Sequence, residues 1–228
     1  MVGNQLFDPQ FGYFRPCPNL SFLEVDPDSP HFGPAGDRLH AYRFCGQFLG
    51  LVARHGIPVP APLNAAVLKF LLGYRIAVAD LEEVDPELRR HLEWVLAHPA
   101  TGLDLEFSHT IEARGRRHEA PLGGPELAWR PVTDANKAEY VALLAAARAT
   151  RAARRRLRAM REGFHDTLPA SAREVLRAQD LSKVWSNFIY FAAKPVCGCA
   201  DARDTVENPE KSPVSLRIQR SLLILLGF

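Results

Sequence analysis

The chain has 228 residues, of which 47% are hydrophobic and 24% are charged, values that are ordinary for a globular protein and allow one large domain or two small ones. The formal net charge of +2 gives no overall argument for binding to nucleic acid or to an anionic membrane surface. The four cysteines lack the spacing of a disulfide framework, and the N-terminus lacks the basic and apolar regions of a signal peptide. We therefore expect a reducing compartment, with the cytoplasm as the first choice and the nucleus as the alternative.

The segment 38–59, RLHAYRFCGQFLGLVARHGIPV, predicts a helix that is apolar on most of its circumference and therefore lies inside a domain. Its core residues are predicted to be Phe44, Gly46, Phe48, Gly50 and Leu51. Each of the two glycines costs about 1 kcal/mol relative to alanine in a helix interior, so we expect another backbone to pack closely against their face. The segment is interrupted by charged and amide side chains, and no stretch of about 20 apolar residues exists in the chain, so no membrane span is expected.

Two more helices are predicted before residue 100. The short apolar run 63–72 ends at Gly73, which favours a second buried helix. Asp85, Pro86 and Glu87 then form a helix start, because a side-chain acceptor, a proline and an acid follow one another at its first positions.

From Leu103 the hydrophobic period changes from helical to alternating, which predicts a half-buried strand through Phe107. The following runs 111–122 and 126–132 contain glycine turn signals, so we expect a small antiparallel sheet of two or three strands. Thr133 can cap a helix that begins at Asp134. The three- and four-residue spacing of its apolar residues predicts one continuous helix as far as Phe164.

Several segments together resemble the amino-terminal lobe of the HECT domain of ubiquitin-protein ligases. They are YRFCGQFLGLVARHGIPV, NLSFLEVDPDS, DLEEVDPELRRHLEWVL, LDLEFS and, as the most specific stretch, VTDANKAEYV. The likeness covers roughly residues 6–181 in the order of the family. It implies an α+β fold that is mainly helical, with a small antiparallel β-sheet, over residues 1–181. Residues 182–228 do not resemble the family, and their residue pattern differs from that of the preceding chain. They are therefore expected to be an unrelated irregular C-terminal tail.

The resemblance also implies a function and partners. In the family, ubiquitin moves from a ubiquitin-conjugating enzyme to a ligase cysteine and then to a substrate lysine, and this lobe is the platform that holds the conjugating enzyme. Residues Phe164, His165 and Leu168 lie where the family chain enters the subdomain that receives that enzyme, so they are the predicted partner-binding residues. The conjugating enzyme and ubiquitin are therefore the expected partners, with binding impaired because only the start of that subdomain is present.

No catalytic residue is expected in this chain. Cys197 and Cys199 lie in the predicted tail without the second lobe that the family places before its catalytic cysteine. A single C-x-C with no second pair is also weak as a zinc site, and no phosphate-binding loop is present, so we expect no metal and no cofactor. The chain is predicted to be inactive as a ligase by itself.

A non-catalytic interaction module is the alternative function. It would use the arginine-rich helix face between Arg148 and Arg161 or the apolar tail. Nucleic acid is not expected on the arginine face because no aromatic residues are interleaved with it for base stacking. For the apolar segment SLLILLGF, three outcomes remain open: burial against the domain, binding to a partner, or aggregation.

Overall fold

The computed structural model describes residues 6–18, 21–29, 32–33, 36–37, 39–113, 116–124, 126–183 and 185. The chain forms two compact units, one from residues 1–74 and 153–228 and the other from residues 75–152. In the described residues, helices predominate and every sheet is two-stranded and antiparallel, which confirms the predicted α+β class. The predicted tail lies outside the described residues from 186 onward.

Besides a 3-10 helix at Pro9–Phe11 and helical residues at 178–183, the described part of the first unit contains several named α-helices and two small strand pairs. They are β1 (Phe14–Pro16), β2 (Leu23–Val25), β3 (Phe32–Gly33), β4 (Gly36–Asp37), α1 (Leu39–Arg54), α2 (Ala65–Leu72), α5 (Arg154–Thr167) and α6 (Ala170–Val175). The second unit contains a 3-10 helix at Val78–Glu82, α3 (Pro86–Ala97), the hairpin strands β5 (Ser108–Ala113) and β6 (Arg116–Pro121), and α4 (Lys137–Thr150).

Helix α1 is the predicted central helix, and its glycines pack against the backbone of α5. A Cβ atom on Gly46 would overlap the Met160 carbonyl oxygen and lie 2.8 Å from the Phe164 nitrogen. A Cβ atom on Gly50 would lie 2.8 Å from the Phe164 carbonyl oxygen. The contact is reciprocal, because a Cβ atom on Gly163 of α5 would overlap the Arg43 carbonyl oxygen. The two helices therefore cross at a distance that only glycine permits at these positions.

The structure corrects the prediction that α1 is buried on most of its circumference. Phe44 is 49% exposed and Leu51 is 48% exposed, so neither is a core residue, and Phe48 is only partly buried against the core. The fully buried side of α1 instead carries Tyr42 and Leu49. The apolar residues of α1 lie on more than one side of the helix, but a single crossing partner covers only one side, and α5 and the core take the side with the glycines.

The remaining elements of the first unit close its core. Helix α2 begins after Asn64, whose side chain accepts a hydrogen bond from the Val67 nitrogen at 2.8 Å, and ends at Gly73, whose φ is 85°. Strand β2 pairs with β1 and also contacts the chain before α2, because the Leu23 nitrogen donates to the Pro62 carbonyl oxygen at 2.6 Å. Trp185, four residues beyond Leu181, is also fully buried in this core.

In the second unit, α3 starts as predicted, with the Asp85 side chain accepting a hydrogen bond from the Leu88 nitrogen at 3.0 Å. The predicted strand at Leu103–Phe107 has the expected alternation of buried and exposed side chains, since Phe107 is buried and Glu106 is exposed. Within the residues that the structure describes, its β-pairing is an isolated bridge between Glu106 and Pro131, and the regular strand β5 starts at Ser108. Asp104 adopts a φ of 48°, which is left-handed and interrupts an extended backbone.

The predicted continuous helix from Asp134 to Phe164 is wrong at two points. It begins at Lys137, and it divides into α4 and α5 with a non-helical Ala153 between them, at φ −110° and ψ 17°. The Thr150 hydroxyl donates back to the Ala146 carbonyl oxygen at 2.7 Å, a bond that competes with helix continuation. Because alanine buries little area, the stripe supplies little packing energy to hold the helix straight.

Among the described residues, no helix combines the length and the apolar character that crossing a bilayer requires.

Candidate functional site

The stretch VTDANKAEYV, residues 132–141, forms the beginning of α4 and a network of hydrogen bonds around it. Asn136 is buried; its side-chain oxygen accepts from the Thr133 nitrogen at 2.7 Å, and its amide nitrogen donates to the Pro131 carbonyl oxygen at 3.1 Å. This turn replaces the predicted Thr133 cap and delays the helix to Lys137. The stretch thus fixes the turn that leads from Pro131 into α4.

Charged side chains of the same stretch hold the end of α3. The Lys137 ammonium donates to the His98 carbonyl oxygen at 2.6 Å, and the Asp134 carboxylate accepts from the Ala100 nitrogen at 3.0 Å. That backbone bond and the Lys137 ammonium, 3.1 Å away, lower the pKa of Asp134. These residues therefore connect α3, the following loop and α4 within the second unit, which is a structural role.

The structure places Phe164 and Leu168, two of the predicted partner-binding residues, in the interior of the first unit. Both side chains are fully buried in the core of the first unit, so they have no surface to offer while that core is intact. His165 is partly buried, and its Nε2 atom lies 2.7 Å from the Leu71 carbonyl oxygen. Burial lowers the pKa of His165, with further lowering from the charges of Arg173 and Arg161. All three residues thus contribute to the interior of this unit.

The two described cysteines are poor nucleophiles. Cys17 and Cys45 both carry a thiol rather than a disulfide, and both are buried. Burial raises the pKa of Cys45 to about 12, so the reactive thiolate is scarcely formed at neutral pH. Cys197 and Cys199 lie outside the described residues.

Several arginines of the face predicted for the alternative function make contacts within the protein. Arg148 pairs with Asp85 at 2.8 Å, and Arg151 donates to the Pro121 carbonyl oxygen at 2.9 Å. In the first unit, Arg156 donates to the Pro27 carbonyl oxygen at 2.7 Å and Arg161 lies over the Phe70 ring at 4.8 Å. At least four of the seven arginines therefore serve the fold, and the basic surface expected of a partner-binding helix is correspondingly reduced.

The second unit contains an open cleft of about 460 Å³ between the β5–β6 hairpin and α4. Its lining includes the carboxylates of Asp104, Glu106 and Glu119 and the apolar side chains of Leu105 and Leu144. Arg148, the first residue of the predicted arginine face, also lines the cleft, whereas the predicted partner-binding residues Phe164, His165 and Leu168 do not. Across the described part of the chain, His, Cys, Asp and Glu side chains do not gather in groups of three or more that could hold a metal ion.

One surface was missed by reasoning from the sequence, namely the exposed apolar side of α1, which consists of Phe44, Phe48 and Leu51. The apolar character of most of the helix predicts these three residues in the core, but the structure leaves Phe44 and Leu51 about half exposed. A helix with two apolar sides needs two packing elements to bury both sides. The glycines mark only the side that packs against α5, and this was the signal in the sequence that the other side is not covered in the same way.

Comparisons with known proteins agree with the resemblance of the motifs. A family model described as HECT-domain (ubiquitin-transferase) matches residues 1–187, six residues past Leu181. The E3 ubiquitin-protein ligase HACE1 of Homo sapiens is 30% identical over 190 residues, and that of Gallus gallus is 34% identical. Each match covers 82% of this chain and 20% of the relative. The E3 ubiquitin-protein ligase Smurf1 of Drosophila melanogaster is 30% identical over 75% of this chain and 16% of its own length.

The chain thus spans about a fifth of the length of these curated relatives. The family model, however, covers most of the chain, including all of the second compact unit and the 132–141 stretch. The chain therefore belongs to the HECT-domain (ubiquitin-transferase) family.

Proposed function

We propose that this chain is a scaffold fragment of a HECT-type ubiquitin-protein ligase, which positions a ubiquitin-conjugating enzyme and its ubiquitin without forming the covalent intermediate itself. Family membership supports the ubiquitin-transfer context. Holding the donor near an acceptor raises the rate through proximity, which requires binding surfaces and no acid–base residues in the scaffold.

The observation that carries this proposal is the burial of the two described cysteines. Ubiquitin transfer through a HECT ligase requires an accessible thiolate that forms a thioester. Cys17 and Cys45 are buried, and the pKa of Cys45 is raised to about 12 by that burial. Neither thiol can accept ubiquitin while the first unit is folded, so the contribution of the described residues is binding.

A thioester assay tests the absence of catalysis. The full chain is incubated with activating enzyme, ATP, ubiquitin and a panel of conjugating enzymes, and the products are separated with and without reducing agent. We expect no reducible ubiquitin adduct on the chain. An adduct that disappears in the Cys197→Ala or Cys199→Ala variant would overturn the proposal of a non-catalytic scaffold.

A binding assay tests the scaffold role separately. Conjugating enzymes carrying a stable ubiquitin linkage are titrated onto the immobilised chain, with a HECT domain from one of the relatives as the positive control. We expect saturable binding to at least one enzyme, weaker than that of the control because the match to the family ends at residue 187. A complete lack of binding across the panel would contradict the scaffold role even if no thioester forms.

A further inference from the structure

The open cleft of the second unit has an apolar floor. Tyr140 of α4 is buried at this floor, and the half-buried side chains of Leu88, Leu105 and Leu144 line it as well. The ring of Phe107 packs edge-on against that of Tyr140, with 5.6 Å between the ring centroids, and fixes its position. The volume of about 460 Å³ lies within the range of protein sites that bind a ligand.

Three carboxylates surround the floor. Asp104 and Glu106 come from the segment before β5 and Glu119 comes from β6, and all three residues are exposed. Among the described residues, none of these carboxylates has an ion-pair partner. Arg148 also lines the cleft, but Asp85 already neutralises it at a distance of 2.8 Å. The cleft therefore carries negative charge that its own walls do not balance.

The arrangement of these carboxylates argues against a bare metal ion as the ligand. Over the described ranges, carboxylates and other metal-ligating side chains do not form groups of three or more that could hold one. A ligand for this cleft must instead bring positive charges that are separated from one another, together with apolar surface for the floor. Lysine and arginine side chains have both properties, because an apolar stem carries each charged head.

The open form of the cleft indicates how such side chains are presented. A small molecule is bound most effectively by a cavity that encloses most of its surface, whereas this cleft is open on one side. A peptide chain can lie across an open cleft and direct several side chains into it.

We propose that this cleft binds an extended basic segment of a partner protein, in which lysine or arginine residues are separated by one or two apolar residues. The charged heads pair with Asp104, Glu106 and Glu119, and the apolar residues pack on the floor of the cleft. Charge complementarity selects this partner, and the interaction does not depend on the scaffold function. Because exposed ion pairs are individually weak and are screened by salt, the binding depends on several of them together.

A binding titration with a synthetic peptide tests the proposed chemistry. The probe is a short fluorescent peptide in which lysines are separated by leucine and glycine, and its anisotropy is measured as the full chain is added. We expect saturable binding that weakens at least about tenfold when the salt is raised from about 0.05 M to about 0.5 M. A peptide with glutamate in place of each lysine should not bind. A peptide with serine in place of each leucine should bind several-fold more weakly, because it lacks the apolar contact.

Two triple variants with the same net charge locate the binding. The cleft variant neutralises the three lining carboxylates: Asp104→Asn, Glu106→Gln and Glu119→Gln. The matched control neutralises three exposed carboxylates outside the cleft: Glu126→Gln, Glu162→Gln and Glu174→Gln. We expect the cleft variant to bind the lysine peptide at least about tenfold more weakly and the control less than about twofold more weakly. Circular dichroism checks that both variants are folded.

Photo-crosslinking identifies the contact directly. A lysine peptide that carries a benzophenone group is irradiated with the full chain, and the attachment point is identified by mass spectrometry. We expect attachment within residues 88–148, next to the lining of the cleft. The proposal is overturned by a lack of binding, by equal weakening in the two triple variants, by attachment elsewhere, or by binding of the glutamate peptide. Spermidine that binds as tightly as the lysine peptide would also overturn it, because a small polycation offers no peptide chain to recognise.

Discussion

Gly46 of α1 and Met160 of α5 are in backbone contact, so that any side chain on Gly46 would overlap the Met160 carbonyl oxygen. Gly163 makes the same kind of contact from the opposite helix, against the Arg43 carbonyl oxygen. The hydroxyl of Thr167 extends the crossing by donating to the Gln47 carbonyl oxygen at 3.2 Å. The stability of the first unit therefore depends on the absence of side chains at two positions on facing helices.

Replacing Gly46 by alanine is expected to destabilise the protein by about 1–3 kcal/mol, because the added methyl group must separate two packed backbones. Helix propensity alone predicts the opposite sign, a gain of about 1 kcal/mol. Chemical denaturation monitored by circular dichroism measures the change. Ala142→Gly, at an exposed position of α4, is the matched control and should cost about 1 kcal/mol from propensity alone. A stabilised Gly46→Ala variant would show that the helices are not in contact.

Replacing Asn136 by alanine is expected to destabilise the second unit by about 2–3 kcal/mol, because the Thr133 nitrogen and the Pro131 carbonyl oxygen lose their partners. Hydrogen exchange measured by mass spectrometry should show the increased exchange first in residues 131–140. The exposed substitution Glu139→Gln serves as the control and should change stability by less than about 0.5 kcal/mol. Equal effects of the two variants would argue against a structural network around Asn136.

His165 should make the protein less stable as the pH falls below about 6.5. Burial lowers the pKa of His165 in the folded state, so between the folded and unfolded pKa values the unfolded chain binds more protons. The free energy of unfolding therefore decreases as the pH falls through this window. His165→Gln, which retains a donor for the Leu71 carbonyl oxygen, should show a flatter dependence between pH 7 and pH 5. Denaturation curves at several pH values measure it, and parallel curves for the two proteins would contradict the prediction.

Cys17 and Cys45 should not react with a thiol reagent in the native protein, because both are buried and Cys45 has a pKa of about 12. Peptide mass spectrometry after brief labelling should find both unmodified until denaturant is added. A Phe44→Cys variant introduces a thiol one residue away from Cys45 at a position that is about half exposed, and this thiol should be labelled under native conditions. Labelling of Cys45 at the rate of the introduced thiol would mean that α1 is not packed as described.

The sequence by itself located the helices α1, α2 and α3, and it predicted the end of α2 at Gly73 and the start of α3 at Asp85, because these signals depend only on nearby residues. It also indicated that a backbone packs against Gly46 and Gly50, although it did not identify Met160, Phe164 and Thr167 as the partners. The stretch 132–141 indicated the family, but the hydrogen bonds that give it a structural role are between residues distant in sequence.

Only the tertiary structure decided which apolar residues lose contact with water. Spacing shows that Phe44 and Leu51 share a side of a helix, yet whether that side is buried depends on where another element lies. The same reasoning explains why Phe164 and Leu168, expected at a partner surface, are in the core, and why a stripe of small residues did not keep α4 and α5 continuous. Periodicity is a local property of the chain, whereas burial is set by the neighbours that folding brings together.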